Sequence, residues 1–336
     1  MMNKNLFNRL GLAATVLALF VVVLGAYVRL SDAGLGCPDW PGCYGQIVVP
    51  EHHSDVNVAN QAYPERPVEA AKAWKEMVHR YFAGTLGLLI LAIAIRAWIQ
   101  RKERQQQVKV PIGLVGLVIF QALLGMWTVT LLLKPVVVMA HLIGGMSILG
   151  LLWWVTIRHA GWLSSSAYTD VSFRRLALIG LVIVALQIML GGWTSANYAA
   201  VICPDFPTCQ NRWLPPMDFA NGFTLWRGLG VDYEGGVLGN DARVAIHVTH
   251  RIGAVITFIY LLWLGVQLLR KSQDQNTRLI AGSIIAAVCV QFLLGIANVL
   301  FSLPLPVAVA HNGVAALLLL TLVSLNHNLR STAGRL

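Results

Sequence analysis

Four histidines sit where an imidazole has chemistry to do. His79, His141, His250 and His311 each stand near the start of a long apolar run. An ionisable side chain left unpaired in hydrocarbon costs several kcal/mol. A neighbouring helix or an interfacial position can satisfy one such residue, but that account weakens when the setting recurs four times. Two imidazoles per group of four helices suit a cofactor held between them, and a haem iron needs only two axial ligands. Zinc would need third and fourth ligands that the sequence places beside neither pair. Arg80 and Arg251 directly follow two of the histidines and are candidate partners for haem propionates. Snorkelling to the interface explains them equally well.

Glu76 lies three residues before His79, on the same helical face if the helix reaches that far back. His247 fills the corresponding slot before His250. A carboxylate beside a bound macrocycle could take a proton or stabilise developing positive charge. That asymmetry suggests one catalytic half and one electron-carrying half, against the simpler reading of Glu76 as an interfacial carboxylate.

Two cysteine pairs complete the set: Cys37 and Cys43 in "CPDWPGC", Cys203 and Cys209 in "CPDFPTC". The spacing does not suit zinc, and no histidine adjoins either pair. Four cysteines allow three connectivities, of which we favour the local ones, Cys37–Cys43 and Cys203–Cys209. A structural disulfide and a redox-active thiol pair both remain open. Cys289 lies in an apolar run and reads as a packing residue.

The elements that must position these residues are membrane helices. Of 336 residues, 57% are hydrophobic and 12% charged, and the mean hydropathy is +0.65, outside the range of a soluble domain. Runs of spanning length fall at 8–28, 78–98, 110–131, 136–157, 175–195, 244–268, 279–300 and 306–326. The predicted fold is all-α and integral to the membrane, with eight transmembrane helices. We read the first run as a retained span, too long for a signal sequence and without a cleavage site.

Eight spans put both termini on one side. There, fifteen Lys and Arg face three Asp and Glu; on the other side ten face twelve. The positive-inside rule then makes the termini cytoplasmic and the long loops, 29–77 and 196–243, outward. Topology accounts for the +10 net charge, and nucleic-acid binding has little support.

The chain also repeats itself at an offset of about 170 residues. "LGAYVRLSDAGLGCPDWPGC" aligns with "LGGWTSANYAAVICPDFPTC", and "QALLGMWTVTLLLKPVVVMAH" with "QFLLGIANVLFSLPLPVAVAH". We expect two tandem four-helix bundles, 1–160 and 161–336, related by a pseudo-two-fold axis along the membrane normal. A finer rhythm is Q-x3-G on alternate spans, Gln121/Gly125, Gln187/Gly191 and Gln291/Gly295, with Val21/Gly25 in the first. Small residues at Gly84, Gly87, Gly144, Gly145, Gly253 and Gly313 could admit a flat macrocycle or simply tighten helix packing.

Taken together, E-x-x-H-R at Glu76 to Arg80, A-H at Ala140 and His141, H-R at His250 and Arg251, A-H-N at Ala310 to Asn312 and the two cysteine pairs resemble the haem A synthases of bacterial membranes and mitochondria. The resemblance covers essentially the whole chain. It implies oxidation of the C8 methyl of haem O to the formyl group of haem A, by successive hydroxylations to a geminal diol and loss of water. It implies a substrate haem on His79 and His141, and a haem b on His250 and His311 that relays electrons. Glu76 would act at the methyl. The cysteine loops would carry disulfides and shape a lid, or a docking surface for the haem O synthase that supplies substrate.

The same residues also admit two other classes: a di-haem b electron carrier, and a non-enzymatic haem carrier. The electron carrier explains the histidines and the duplication but not the Glu76/His247 difference. No strand–GxGxxG–helix context is present, so reducing equivalents must pass through a partner protein. The short stretch before the first span favours a bacterial inner membrane over a mitochondrion, with the cysteine loops periplasmic.

Overall fold

The computed structural model describes residues 2–102, 108–163 and 171–330. Glu103, Arg104, Asp170 and Arg335 of the charge comparison lie outside the described residues. Among the described residues ten helices follow in order: α1 (Met2–Leu30), α2 (His53–Ala62), α3 (Ala70–Ile99), α4 (Lys109–Thr130), α5 (Pro135–Ala160), α6 (Val171–Ala196), α7 (Phe219–Gly222), α8 (Asn240–Lys271), α9 (Gln275–Leu300) and α10 (Leu305–Asn328). Eight are long and apolar enough to cross a membrane, and α2 and α7 are short helices within the two long loops. Among the described residues no β-sheet forms; two isolated bridges are the only β pairing. The protein is an all-α, multi-pass membrane protein.

Helix α3 begins at Ala70 and α8 at Asn240, both earlier than the hydropathy reading placed them. Residues 70–77, "AAKAWKEM", are good helix formers, but too polar to register as a span. Glu76 therefore lies inside α3. His79 and His250 sit more than two turns into their helices, deeper from the helix start than predicted, whereas His141 and His311 are within two turns of theirs.

Helix α1 packs on α3 and α5, and α4 on α3 and α5; α8 packs on α6 and α9, and α10 on α9 and α6. Contacts of α1 with α10, and of α5 with α6 and α10, join the two groups. Apolar side chains fill the end of each group that carries the chain termini. Phe7, Ile90, Leu114, Leu149 and Leu152 do so in the first, Leu261, Leu264, Ile284, Leu322 and Leu325 in the second. In hydrocarbon these side chains hold the helices together by close van der Waals packing, since lipid is as apolar as they are. The tight packing at that end leaves the opposite, long-loop end to the histidines. At the packed end His159, in the last turn of α5, lies against Phe7 at 4.1 Å between ring centroids and bonds Asn8 at 2.7 Å.

Local backbone features recur at equivalent positions. The turn after α4 holds Leu132 and Leu133 at positive φ, and the turn after α9 holds Ser302 and Leu303 likewise. Each turn is closed by an N–H reaching back to the helix, Leu133 to Thr128 at 2.8 Å and Leu303 to Asn298 at 2.7 Å. Left-handed non-glycine residues cost roughly 1–2 kcal/mol each, which these hydrogen bonds help offset.

Both cysteine loops close as local disulfides, Cys37–Cys43 and Cys203–Cys209, with Cα atoms 4.8 and 4.6 Å apart. The Asp of each motif turns back on its own loop. Asp39 accepts from the N–H of Tyr44 at 2.6 Å and Gly45 at 2.8 Å; Asp205 accepts from Gln210 at 2.7 Å and Asn211 at 3.1 Å. The Thr208 hydroxyl, then these N–H groups, hold the Asp205 carboxyl below the usual carboxylate range.

The second long loop also crosses to the first bundle. Its Tyr233 N–H bonds the Leu132 carbonyl at 3.1 Å, and Tyr233 is buried with Leu35, Val129 and Leu133. Arg66 of the first loop bridges Asp232 at 2.9 Å and Glu234 at 2.8 Å. Lys134, at the start of α5, is buried; it donates to the Gly228 carbonyl and lies 3.1 Å from the centre of the Trp226 ring.

Candidate functional site

The four histidines assemble as two pairs. His79 of α3 and His141 of α5 are near enough to repel one another if both were charged, and so are His250 of α8 and His311 of α10. All four histidines are half-buried as residues.

A glycine on the preceding transmembrane helix lies against each ring. A Cβ at Gly25 would come 3.0 Å from His79 Cε1, one at Gly125 3.3 Å from His141 Cε1, one at Gly191 3.2 Å from His250 Cε1 and one at Gly295 3.3 Å from His311 Cε1. Any larger residue would push these rings. The glycines that matter to the histidines are therefore those of Q-x3-G, one helix earlier in sequence, rather than the ones following the histidines. Gly144 and Gly253 make room for Gln121 and Gln187; Gly313 meets Val23, and nothing lies against Gly84.

The glutamines complete each unit. Gln121 donates to the His141 carbonyl at 2.6 Å, and Gln187 to the His250 carbonyl at 3.0 Å and to its Nδ1 at 3.0 Å. The Gln291 amide meets His311 Nε2 at 3.2 Å. The Q-x3-G rhythm is visible in the sequence, but its purpose is not, because the partner histidine is 20 to 63 residues away.

Glu76 and Arg80 face the first cysteine loop. Both Glu76 carboxylate oxygens are engaged: one accepts from the Cys37 N–H at 2.9 Å, the other from Arg80. Arg80 also donates to the carbonyls of Asp39, Pro41 and Gly42. Gly36 allows this approach, since a Cβ there would lie 2.6 Å from the Lys72 carbonyl carbon. In the second half Arg251 donates to the carbonyls of Cys203 at 3.0 Å, Asp205 at 2.9 Å and Thr208 at 2.7 Å. His247 donates its Nδ1 hydrogen to the Ala199 carbonyl at 2.7 Å. Both arginines, read as candidate propionate partners, are thus placed on the loops and fasten them one residue beyond a histidine.

This arrangement suits a planar iron macrocycle better than a bare ion. Among the described residues no group of three or more His, Cys, Asp and Glu could hold a metal ion. Three of the four histidines keep a buried Nδ1 with no hydrogen-bond partner, and the two helices that carry each pair stand across their bundle from one another. Two imidazoles per bundle, each with a glycine against its ring, would supply the two nitrogen ligands that a haem iron takes.

Residues 8–323 match the family model described as COX15-CtaA, cytochrome oxidase assembly protein. A heme A synthase of Shewanella oneidensis is 46% identical over 314 residues, 93% of this chain and 93% of the relative. Those of Bacillus licheniformis and Chelativorans sp. are 28% and 27% identical, over 92% and 94% of this chain and 91% and 89% of theirs.

Proposed function

Because this chain belongs to the COX15-CtaA family of cytochrome oxidase assembly proteins, we propose that it is a haem A synthase, a membrane oxidoreductase that takes haem O as substrate and releases haem A. The carrying observation is a fourfold glycine-and-histidine unit that forms two histidine pairs, only one of which has a carboxylate one turn before its first histidine. The C8 methyl of haem O becomes a formyl group through successive hydroxylations and loss of water.

In this reading His79 and His141 hold the substrate and orient its ring. His250 and His311 hold a resident haem b, which supplies one-electron transfer when bound. Glu76, kept in place by Arg80 and the Cys37 N–H, fixes a negative charge one turn from His79, where it favours positive charge developing on the substrate or receives its proton. The packed apolar end of each bundle excludes water from one side, and the disulfide loops, fastened by Arg80 and Arg251, close the other. Any propionate contact made by these arginines is shared with the loop carbonyls.

The substrate comes from a haem O synthase, and electrons enter or leave through a partner protein docking at the membrane. The chain lies in a bacterial inner membrane with cytoplasmic termini and periplasmic cysteine loops. The test is the acid-extracted haem profile of purified protein co-expressed with a haem O synthase. Haem b together with haem O, a hydroxylated form or haem A is expected. Haem b alone would make the protein a di-haem electron carrier.

A further inference from the structure

The histidine-holding unit is built four times, and its glutamine is missing once. In α4, α6 and α9 a glutamine stands one turn before the glycine that meets the histidine; in α1 that place is Val21. The three glutamines also differ in what they reach. Gln187 holds both the main chain and the ring of His250, and Gln291 holds the ring of His311. Gln121 reaches only the main chain of His141. In the second half each imidazole therefore has one nitrogen held by an amide and one left over. In the first half, among the described residues, no hydrogen bond reaches either ring, and both Nδ1 atoms are buried without a partner.

The residue three beyond each histidine explains the pattern. Gly144 and Gly253 stand there in α5 and α8, and Gln121 and Gln187 lie directly against them, which lets their amides reach the histidine main chain. In α10 the position is Val314, and Gln291 contacts the ring alone. In α3 it is Phe82, whose ring packs on Phe20 at 4.9 Å. Where the glutamine is missing, a large aromatic side chain fills the place three beyond the histidine.

A ligating imidazole is oriented by the hydrogen bond its other nitrogen makes, and losing such a partner typically weakens metal binding tenfold or more. A carboxamide offers both a donor and an acceptor, so it can hold either ring tautomer. We propose that these glutamines are positioning residues that set how firmly each histidine pair retains its haem, and that Val21, with Phe82, makes the first pair the exchanging site. This deepens the reading of the histidine pairs as haem sites and rests on it. A group resident in the protein needs held ligands; a substrate that must enter and a product that must leave are better served by unheld ones.

The test is haem transfer from the purified full-length protein to excess apomyoglobin, with each haem type followed by extraction. Wild type should release haem O and haem A at least tenfold faster than haem b. Gln187→Met and Gln291→Met, which keep volume and remove the amide, should each speed haem b release about tenfold and shift its low-spin electron paramagnetic resonance signal. Val21→Gln, alone or with Phe82→Gly, should slow release of haem O and haem A, whereas Val21→Met should not. Haem b release unchanged in both glutamine variants would overturn the proposal even if the Val21 variants fail to fold. Haem content unchanged in both His79→Ala and His250→Ala would instead overturn the underlying assignment of haem to these pairs.

Discussion

The two halves fasten equivalent cysteine loops by different means. In the first, Gly36 lets the loop backbone press against α3, and the Glu76 carboxylate accepts the Cys37 N–H while paired with Arg80. In the second, Ile202 stands at the equivalent of Gly36, and His247 donates to the Ala199 carbonyl. Arg251 carries the remaining contacts without a carboxylate partner on its own helix. A carboxylate is not needed to hold such a loop, because the second half does so without one. Its presence beside His79 is therefore best explained by the chemistry proposed there.

Substitutions can break that comparison. The largest effect is expected of Glu76→Gln, which should lower haem A formation at least a hundredfold while both haems still load, read by chromatography of extracted haem. The same loss of haem from both sites would reduce Glu76 to a loop fastener. His250→Ala should lose haem b more than tenfold and substrate haem much less; equal loss of both would remove the division between the halves. Replacing Cys37 and Cys43 together by serine, or Cys203 and Cys209, should destabilise the protein by about 2 kcal/mol, seen as a lower melting temperature in detergent. The first pair should also lower haem A yield, since Cys37 bonds Glu76.

Smaller still is the cross-bundle contact. Arg66→Ala removes a largely exposed pair of ion contacts and should cost about 1 kcal/mol or less, fading as salt is raised. The smallest effect concerns Asp205. Its folded pKa is depressed by the Thr208 hydroxyl and loop N–H groups, so its contribution is present above the ordinary Asp pKa and is lost as pH falls through the depressed value. Hydrogen-exchange protection at Gln210 and Asn211, measured against the intrinsic rate at each pH, should fall on acidification below about pH 4. Asp205→Asn should flatten that dependence.

Much of this was legible in the sequence, for identifiable reasons. Long apolar runs announce spans because hydrocarbon tolerates little else, and all eight are helices. The local cysteine pairing was the favoured one of three connectivities, and the structure closes both bridges. The early start of α3 was hidden because Lys72, Lys75 and Glu76 belong to a helix that rises out of the apolar zone. The four ring-facing glycines and their glutamines were visible only as a rhythm, since a helix face does not reveal which helix will meet it. Arg80 and Arg251 beside histidines suggested propionates; their loop contacts depend on carbonyls 38 to 48 residues away, for which no sequence pattern exists.

The crossing of the second loop onto the first bundle has a consequence for how the molecule is made. Lys134 meets Gly228 across 94 residues of chain, and Arg66 meets Asp232 across 166. A ribosome has long finished the first four transmembrane helices when Trp226 and Tyr233 emerge. The first bundle therefore enters the membrane with the place of these contacts bare, and its final contacts arrive with the second half. Synthesis order thus gives the first bundle an interval in which it is inserted but not yet clasped, and the end of that interval is written into the chain itself.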